Sequence, residues 1–531
     1  MKSTDPVSLD GEGLTIDEVL SVSRGEAHVA IADSARKLMD ASRQLKLDLV
    51  NLKKPIYGVT TGFGDSADRQ ISPDKAAQLQ KNLVQYHING TGSKAPSDVV
   101  LATMVIRANC LARGASAINP AVVDRLVSMI NERIIPVIPQ RGSVGASGDL
   151  VPLCYLANTI TGSGEVRWRG RVDDMEVVRT ELGWEPVTLE AKDGLALING
   201  TSFSSGFATL ALADADRIAG LAELATSMAS ESLLGNRGHF APFVFAAKPH
   251  PGQAQAAGHI YEILTDSQLA MDHSQVLEVN DALDEKKFQK LNRSVQDRYS
   301  IRCAPHVIGV LRDTIAWAAE WVRLEINSSN DNPLFSVEDE EVFSGGNFYG
   351  GHVTQAMDAL KTAVANIADL LERQLALLVD ERFNNGLPTN LAPLASGDEA
   401  EAGLHHGFKG MQLACSAITA EALKATMPAS VFSRSTESHN QDKVSMSAIA
   451  ARDATTVIRL AEEVTAIHLL AGAQGIDLRG IDAASTVTRR AHATIREKSP
   501  FVAEDRSLQA DIEYVLEGLR ADRFAQLASQ L

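Results

Sequence analysis

Apolar residues recur at alternating steps of three and four over several long stretches of the chain. The clearest series lies between His352 and Phe383, and its members are Val353, Met357, Leu360, Val364, Ile367 and Leu371. This spacing puts one apolar stripe on one face of a helix, and a sustained heptad stripe is typical of helices in bundles. The pattern therefore predicts a long helix over 352–383.

Similar series begin at Ile308 and Val457, and a further apolar stripe runs from Phe207 to Met228. Alanine is abundant in these stretches, which favours helix over strand. Four extended helices imply a bundle. We therefore predict a mainly α fold, a central long-helix bundle with a loop-rich N-terminal region. The predicted parts are a loop-rich region over 1–201, the long-helix bundle over 202–404 and a C-terminal helical region over 405–531.

Three short stretches interrupt the helical pattern. Residues 56–64 are rich in Gly and Thr, and residues 135–149 are a strand-like piece followed by a Gly/Ser loop. Residues 164–169 contain the alternation Val-Arg-Trp-Arg, which predicts one arm of a hairpin. The predicted non-helical structure is thus concentrated in the N-terminal region.

Composition excludes several classes of function. The 531 residues are 45% hydrophobic and 22% charged, which is ordinary for a globular protein. The formal net charge is −17, so the chain lacks the excess of basic residues that binding to a nucleic acid requires. No apolar run reaches 18 residues, so no membrane span is predicted. Four scattered cysteines and no apolar signal segment indicate reduced thiols in a cytoplasmic protein. The adjacent His405 and His406 lack a third ligand, so no metal site is predicted.

The stretch from Gly142 to Leu153 holds the most informative triplet, Ala146-Ser147-Gly148. If the turn is compressed, the Gly148 amide nitrogen can attack the Ala146 carbonyl, and glycine permits so close a backbone approach. Loss of water gives a five-membered imidazolone, and dehydration of Ser147 leaves an alkene. The chain would thereby make its own electrophile, a task usually left to a cofactor.

A second such triplet, Ala395-Ser396-Gly397, tests how specific this signal is. It lies in a polar, acidic stretch and is interpreted as a turn. The first triplet is preceded by a glycine-rich segment and followed by Asp-Leu-Val-Pro-Leu. We therefore expect Ser147, and not Ser396, to carry the chemistry.

Other motifs follow one another along the chain: Tyr57-Gly-Val-Thr-Thr-Gly-Phe-Gly64, Leu197-Ile-Asn-Gly-Thr201, Tyr299-Ser-Ile-Arg-Cys303, Asn330-Asp-Asn-Pro333, Gly345-Gly-Asn-Phe348 and His439-Asn-Gln-Asp442. With the Ala146 triplet they resemble the aromatic amino acid ammonia-lyase family, most closely the bacterial phenylalanine ammonia-lyases. The resemblance covers Tyr57 to about Arg479 and implies an ammonia-lyase/fumarase-like fold. It also implies a 4-methylideneimidazole-5-one (MIO) group made from the triplet, no external cofactor, and a homotetramer whose active sites combine loops of several subunits.

The resemblance also implies roles for single residues. Tyr57 matches the base that takes the substrate β-proton, and Arg302 matches the arginine that clamps the carboxylate, where a guanidinium fork fits. Tyr299 matches a second tyrosine near the electrophile, and Asn199 an amide that helps to polarise it. A free phenol titrates near 10, so Tyr57 needs its anion stabilised to act at about pH 8.

Further matches concern substrate binding. Gln296 and Asn332 match polar groups around the amine and carboxylate, and Phe348 matches an aromatic under the imidazolone, although core packing explains Phe348 equally. The pair Tyr86 and His87 occupies the ring-specificity position. The remaining matched positions are Lys409, Glu437, Asn440 and Gln441. Lys409 and Glu437 follow the phenylalanine-lyase pattern, whereas Tyr86-His87 departs from it. His306 replaces a usual glutamine and is interpreted as packing.

The resulting expectation is non-oxidative deamination of L-phenylalanine to trans-cinnamate and ammonia. Alternatives are a lyase for tyrosine or another oxygenated arylalanine, then a phenylalanine or tyrosine 2,3-aminomutase, then a histidine ammonia-lyase. A scaffold protein that has lost the chemistry is disfavoured, because Tyr57, Ser147 and Arg302 are all present. The expected partners are a small aromatic amino acid and further copies of the chain, with neither nucleic acid nor membrane.

Overall fold

The computed structural model describes residues 5–393 and 403–524, and most of them are helical. This confirms the mainly α fold. The helices are α1 Ile16–Arg24, α2 Asp33–Asn51, α3 Ala76–Tyr86, α4 Ser97–Ala112, α5 Pro120–Asn131, α6 Leu150–Ile160, α7 Met175–Glu181, α8 Asp193–Ile198, α9 Ser202–Ser232, α10 Pro242–Ala246, α11 Pro251–Ile263, α12 His273–Glu278, α13 Tyr299–Arg302, α14 Ala304–Ile326, α15 Gly351–Val379, α16 Lys409–Lys424, α17 Ser447–Arg479, α18 Thr486–Arg496 and α19 Gln509–Arg520.

Short strands form small two- or three-stranded sheets. They are β1 Val7–Leu9, β2 Val29–Ile31, β3 Thr91–Lys94, β4 Ile135–Pro136, β5 Pro139–Arg141, β6 Glu165–Trp168, β7 Arg171–Asp174, β8 Leu334–Ser336 and β9 Glu341–Phe343. β1 pairs with β2 in parallel, while β3–β5, β4–β6–β7 and β8–β9 are antiparallel. The predicted hairpin arm is β6. Its turn to β7 has positive φ at Arg169 and Gly170, as a two-residue hairpin turn requires.

The chain separates into two compact units, each built from distant segments. The first unit comprises Met1–Leu212, Trp317–Asp358 and Pro428–Ala454, and the second comprises Ala213–Ala316, Ala359–Met427 and Thr455–Leu531. The first unit takes residues from all three parts proposed from the sequence. The division into 1–201, 202–404 and 405–531 stays a prediction.

α4 forms the centre of the first unit. Every residue of this helix from Val99 to Ala112 is buried, and α1, α2 and α5 pack around it. A helix that is apolar nearly all round is expected to lie in the core and not at the surface. Two of its polar residues, Arg107 and Asn109, are nevertheless completely buried.

The apolar series that predicted a long helix lies on α15. All six seam residues from Val353 to Leu371 are completely buried. The helix ends at Val379, so the predicted end at Phe383 was wrong. Asp380 Oδ1 accepts a hydrogen bond from the Arg382 backbone amide at 3.0 Å, and this local turn competes with another turn of helix.

Two sequence expectations concern the surroundings of the protein. No helix within residues 5–393 and 403–524 is long and apolar enough to cross a membrane. The four cysteines are all free thiols; Cys303 is half-buried, and Cys110, Cys154 and Cys415 are buried.

Candidate active site

The Ala146-Ser147-Gly148 triplet lies in the loop that joins β5 to α6, in the first unit. The segment that follows α8 holds one side of this loop. The Gly200 amide donates to the Ser147 carbonyl oxygen at 3.2 Å, and the Gly200 carbonyl accepts from the Asp149 amide at 2.6 Å. The segment before α17 holds the other side, because the Ser445 amide donates to the Gly145 carbonyl at 3.1 Å. The triplet is thus clamped between two separate parts of the chain.

Glycine is required at two points of this loop. Gly145 and Gly148 both have φ of +71°, a left-handed conformation that other residues rarely adopt. A Cβ on Gly148 would lie 2.1 Å from the Gly200 carbonyl oxygen, and one on Gly145 would lie 2.3 Å from Ser445 Oγ. The clamp therefore depends on glycine for its close backbone approach.

Two features of the triplet are compatible with self-cyclisation. Among the described residues, neither the Gly148 amide nitrogen nor the Ala146 carbonyl oxygen takes part in a hydrogen bond, so the attacking nitrogen and the carbonyl group that it attacks are both unpaired. The Ser147 hydroxyl has one long contact, 3.5 Å from Gln441 Nε2. Ala146 and Gly148 are buried and Ser147 is half-buried. These residues fit the group that the sequence implies. The second triplet, with Ser396, lies outside the described residues.

A cavity of about 520 Å³ opens beside Ser147, and all its lining residues belong to the first unit. It brings together most of the residues that the sequence singled out. The predicted residues in its wall are Tyr57, Tyr86, His87, Ala146, Ser147, Asn199, Asn332, Phe348, Glu437, Asn440 and Gln441. Apolar side chains, including Phe63, Leu83 and Leu195, complete the wall. An apolar pocket with a few convergent polar groups is the usual form of a site for a small molecule.

Tyr57 lies at the start of the predicted loop, and its hydroxyl oxygen accepts a hydrogen bond from the Gly64 amide at 3.1 Å. Burial raises the pKa of Tyr57, the Gly64 amide opposes that rise, and the Glu437 carboxylate adds to it. The described part of this chain therefore does not supply the anion stabilisation that the sequence argument required.

Tyr86 and His87 stand at the end of α3. His87 Nδ1 lies 2.9 Å from the Leu83 carbonyl oxygen, which can only accept, so Nδ1 carries the proton. The Nε2 atom makes no hydrogen bond within the described residues. Burial lowers the pKa of His87, which favours the neutral ring. His87, one of the residues that line the cavity, thus has a neutral imidazole whose Nε2 acceptor is unpaired among the described residues.

The amides of the site hold one another. Asn199 Nδ2 donates to the Asn332 carbonyl at 3.0 Å, and the Gly345 amide donates to Asn332 Oδ1 at 2.8 Å. Asn440 Nδ2 donates to Glu437 Oε2 at 3.1 Å. Asn199 Oδ1 is buried without a partner among the described residues. These contacts fix the polar wall of the cavity while leaving one acceptor unused.

Four predicted site residues are elsewhere, in the second unit. Gln296, Tyr299 and Arg302 line a cavity of about 630 Å³ that is built wholly from second-unit residues. Arg302 Nε donates to the Asp297 carbonyl at 3.2 Å, and its guanidinium lies 4.4 Å from the centre of the Tyr299 ring. Lys409 is the exposed first residue of α16 and lines neither cavity. The predicted site is thus divided between two cavities.

Comparison with known proteins agrees with the family that these motifs resemble. The family model for aromatic amino acid lyases matches residues 14–497. The chain belongs to the aromatic amino acid lyase family. It is an ammonia-lyase-type enzyme, as the sequence predicted.

Individual relatives of this lyase carry different names. A histidine ammonia-lyase from Gloeobacter violaceus is 39% identical over 519 residues, which cover 98% of this chain and 96% of the relative. A tyrosine ammonia-lyase from Cupriavidus metallidurans is 38% identical over 526 residues, covering 98% and 97%. The solved tyrosine aminomutase from Streptomyces globisporus superposes with a TM-score of 0.94 at 36% identity, covering 99% of each chain.

Asp149 of this lyase directly follows the triplet in the sequence. Its carboxylate is completely buried, and Oδ2 accepts from the Ser204 amide at 2.7 Å and the Ser204 hydroxyl at 2.9 Å. Burial raises the pKa of Asp149 to about 6, against the effect of those donors. The sequence signal for Asp149 was its position next to Gly148. An acid immediately before a helix, as here before α6, is usually interpreted as a helix cap, so Asp149 was not predicted as a site residue.

His306 and the adjacent pair His405 and His406 belong to the second unit. His306 lies 5.4 Å from the Phe245 ring and lines neither cavity. The His406 and Gly407 amides donate to the Asp505 carboxylate. Residues 5–393 and 403–524 contain no cluster of three side chains that could hold a metal ion.

Proposed function

We propose that this lyase releases ammonia from an L-arylalanine whose ring carries a hydroxyl group, with L-tyrosine as the representative substrate and the coumarate-type acid as product. The phenylalanine preference that Lys409 and Glu437 suggested gains no support from the relatives described above, which are named for histidine and tyrosine. Lys409 also lies outside both cavities.

The observation that carries this choice is the free Nε2 of His87. A phenol hydroxyl can donate a hydrogen bond to that nitrogen, and a phenylalanine ring cannot. With phenylalanine, a dry Nε2 would stay unpaired at a cost of about 1–3 kcal/mol. Sites built to hydrogen-bond a substrate hydroxyl discriminate strongly against the analogue that lacks it.

The chain's own residues then divide the reaction between them. The MIO group, once formed from residues 146–148, would supply the electrophile that makes the substrate amine a better leaving group. Tyr57 takes the β-proton, and Phe348 and Leu195 keep water from the ring. Arg302 binds the carboxylate through the bidentate geometry of a guanidinium.

We further propose that the two cavities are completed by association of chains into the homotetramer that the family resemblance implies. Ser147 and Arg302 line different cavities, and each cavity is lined by one unit alone. A cation from a second copy beside Tyr57 would also supply the anion stabilisation that the described residues lack. Sedimentation velocity and mixed-mutant complementation, with Ser147→Ala and Arg302→Ala chains combined, test this association.

The substrate proposal is tested by kcat/KM for L-tyrosine, L-phenylalanine and L-histidine, followed by ultraviolet absorbance and product chromatography. We expect tyrosine to exceed phenylalanine by about tenfold or more, since 1.4 kcal/mol corresponds to a factor of ten. Turnover of histidine above both others would overturn the proposal in favour of a histidine ammonia-lyase.

A second candidate is a tyrosine 2,3-aminomutase, because the solved enzyme that matches this chain at a TM-score of 0.94 carries that name. An aminomutase returns the amine to the β-carbon. The same chromatography separates β-tyrosine from the unsaturated acid. A β-amino acid as the main product would favour this candidate.

Replacing Tyr86-His87 by Phe-Leu is expected to shift kcat/KM toward phenylalanine relative to tyrosine by about tenfold or more. The physical reason is the loss of the Nε2 acceptor and of the Tyr86 hydroxyl from the cavity wall. The measurement is the ratio of the two kcat/KM values in the double variant and in the wild type. An unchanged ratio would mean that these side chains do not contact the substrate ring.

Glu437→Gln is expected to lower the pKa of Tyr57, because it removes a carboxylate that disfavours the phenolate. Since the base is active when deprotonated, the acid limb of the kcat/KM profile should move to lower pH. Asp65→Asn is the matched control. It removes an exposed charge next to Gly64 that does not shift the pKa of Tyr57. Equal shifts in both variants, or none in Glu437→Gln, would contradict this account.

A further inference from the structure

Arg107 is a completely buried cation in the apolar helix α4. Its Nη1 donates to the Asn199 carbonyl oxygen at 3.1 Å and lies 3.4 Å from Asn330 Oδ1. Its Nε and Nη2 atoms have no partner among the described residues. A buried charge is costly unless it is well paired, so a guanidinium with incomplete partners in this core calls for an explanation other than stability.

The contact with Asn199 places Arg107 one peptide away from the triplet. The Asn199 carbonyl and the Gly200 amide belong to the same peptide unit, and the Gly200 amide donates to the Ser147 carbonyl oxygen at 3.2 Å. Two hydrogen bonds in series therefore connect the guanidinium to Ser147. A Cβ on Gly200 would lie 2.1 Å from Arg107 Nη1, so glycine is needed for this approach.

Hydrogen bonds in series polarise one another. A cation on a carbonyl oxygen draws electron density through the peptide and makes its N–H a stronger donor, by roughly 10–30% per bond in condensed phase. The low dielectric of a buried site increases the effect. Arg107 is completely buried and Asn199 is 2% exposed, so water screens this path little.

We propose that Arg107 is a positioning residue that polarises the Ser147 carbonyl through the Asn199–Gly200 peptide and thereby activates the electrophile made from the triplet. This inference rests on the proposed function, because it needs the MIO group to form. In that group the Ser147 carbonyl is conjugated with the alkene. Addition of a nucleophile to the alkene moves electron density toward the carbonyl oxygen, and a fixed donor at that oxygen favours addition.

The experiment compares Arg107→Met with Arg113→Met. Arg113 also donates to backbone carbonyls, those of Gly11 and Asn327, but it does not touch the triplet or its clamp. Intact-protein mass first establishes which chains have lost two waters. The rate of cyanide addition to those chains is then followed by mass, and the absorbance maximum of the electrophile is recorded without substrate.

We expect Arg107→Met to lose two waters, to add cyanide roughly 10–100-fold more slowly than wild type, and to absorb at shorter wavelength. A factor of roughly 10–100 is typical when a residue acts on a functional group through an intervening group. Arg113→Met should match wild type in both. Arg107→Lys, which retains the charge but places it on a single nitrogen, should have a rate and an absorbance maximum between those of Arg107→Met and wild type. If Arg107 had a merely structural role, its replacement would not change the absorbance maximum of a protein that has formed the electrophile.

Several results would overturn the proposal. A loaded Arg107→Met protein with wild-type cyanide kinetics and absorbance would show that no polarisation passes through the peptide. If neither Arg107→Met nor Arg107→Lys folds and loses two waters, Arg107 serves formation of the site and not activation. A wild-type chain that retains both waters would instead refute the proposed function itself, which separates the two failures.

Discussion

Ser147→Ala is expected to abolish ammonia release, lowering turnover toward the uncatalysed rate, a loss of roughly 10⁶-fold or more. The reason is chemical, because alanine has no hydroxyl to eliminate and cannot give the alkene. The fold should be unaffected, since the Ser147 hydroxyl has only the 3.5 Å contact with Gln441. Turnover and far-ultraviolet circular dichroism of the purified variant are the measurements.

Ser396→Ala is the control for this prediction, because it changes the corresponding serine of the second triplet. We expect it to leave turnover unchanged. The opposite outcome, an active Ser147→Ala protein and an inactive Ser396→Ala protein, would mean that the electrophile comes from the other triplet.

Tyr57→Phe is expected to lower kcat by about 10²–10⁴-fold, the contribution usual for a positioned base. The Tyr57 hydroxyl accepts one hydrogen bond, from the Gly64 amide, so the change should cost only about 1 kcal/mol of stability. Steady-state kinetics and the midpoint of chemical unfolding together separate the loss of a base from a loss of structure.

Tyr155→Phe provides a matched control for that variant. The Tyr155 hydroxyl also accepts a hydrogen bond from a backbone amide, that of Gly90 at 3.1 Å, but Tyr155 does not line the Ser147 cavity. We expect its kcat to stay within about twofold of wild type. If Tyr57→Phe retained most of its activity, the proton would go elsewhere, with Tyr299 the first residue to test.

Local periodicity predicted the helices because burial of one face follows directly from spacing. The seam of α15 shows this, whereas its end was misplaced because Asp380 and Arg382 form a turn that the apolar pattern does not encode. The β6–β7 hairpin was predicted from alternation in the same way. The two-unit organisation could not be read, since each unit combines segments distant in sequence.

The motifs predicted which residues would line a site, but not how that site is divided. Tyr57 and Ser147 share one cavity, while Arg302 and Tyr299 line another, and motif order contains no information about this. The pKa of Tyr57 was equally unreadable, because it depends on burial and on Glu437, which lies far away in sequence. Arg107 is recognisable in the sequence as a lone basic residue in an apolar helix. The sequence does not show which group it contacts.

The mass of the intact wild-type chain shows whether the protein builds its own electrophile. Cyclisation of Ala146-Ser147-Gly148 and dehydration of Ser147 together remove two waters. We predict that the purified protein is lighter than its sequence by those two waters, that Ser147→Ala cannot make the alkene and so retains at least one of them, and that a peptide map assigns the loss to the segment containing residues 146–148. A wild-type mass equal to that of the unmodified sequence would contradict the account.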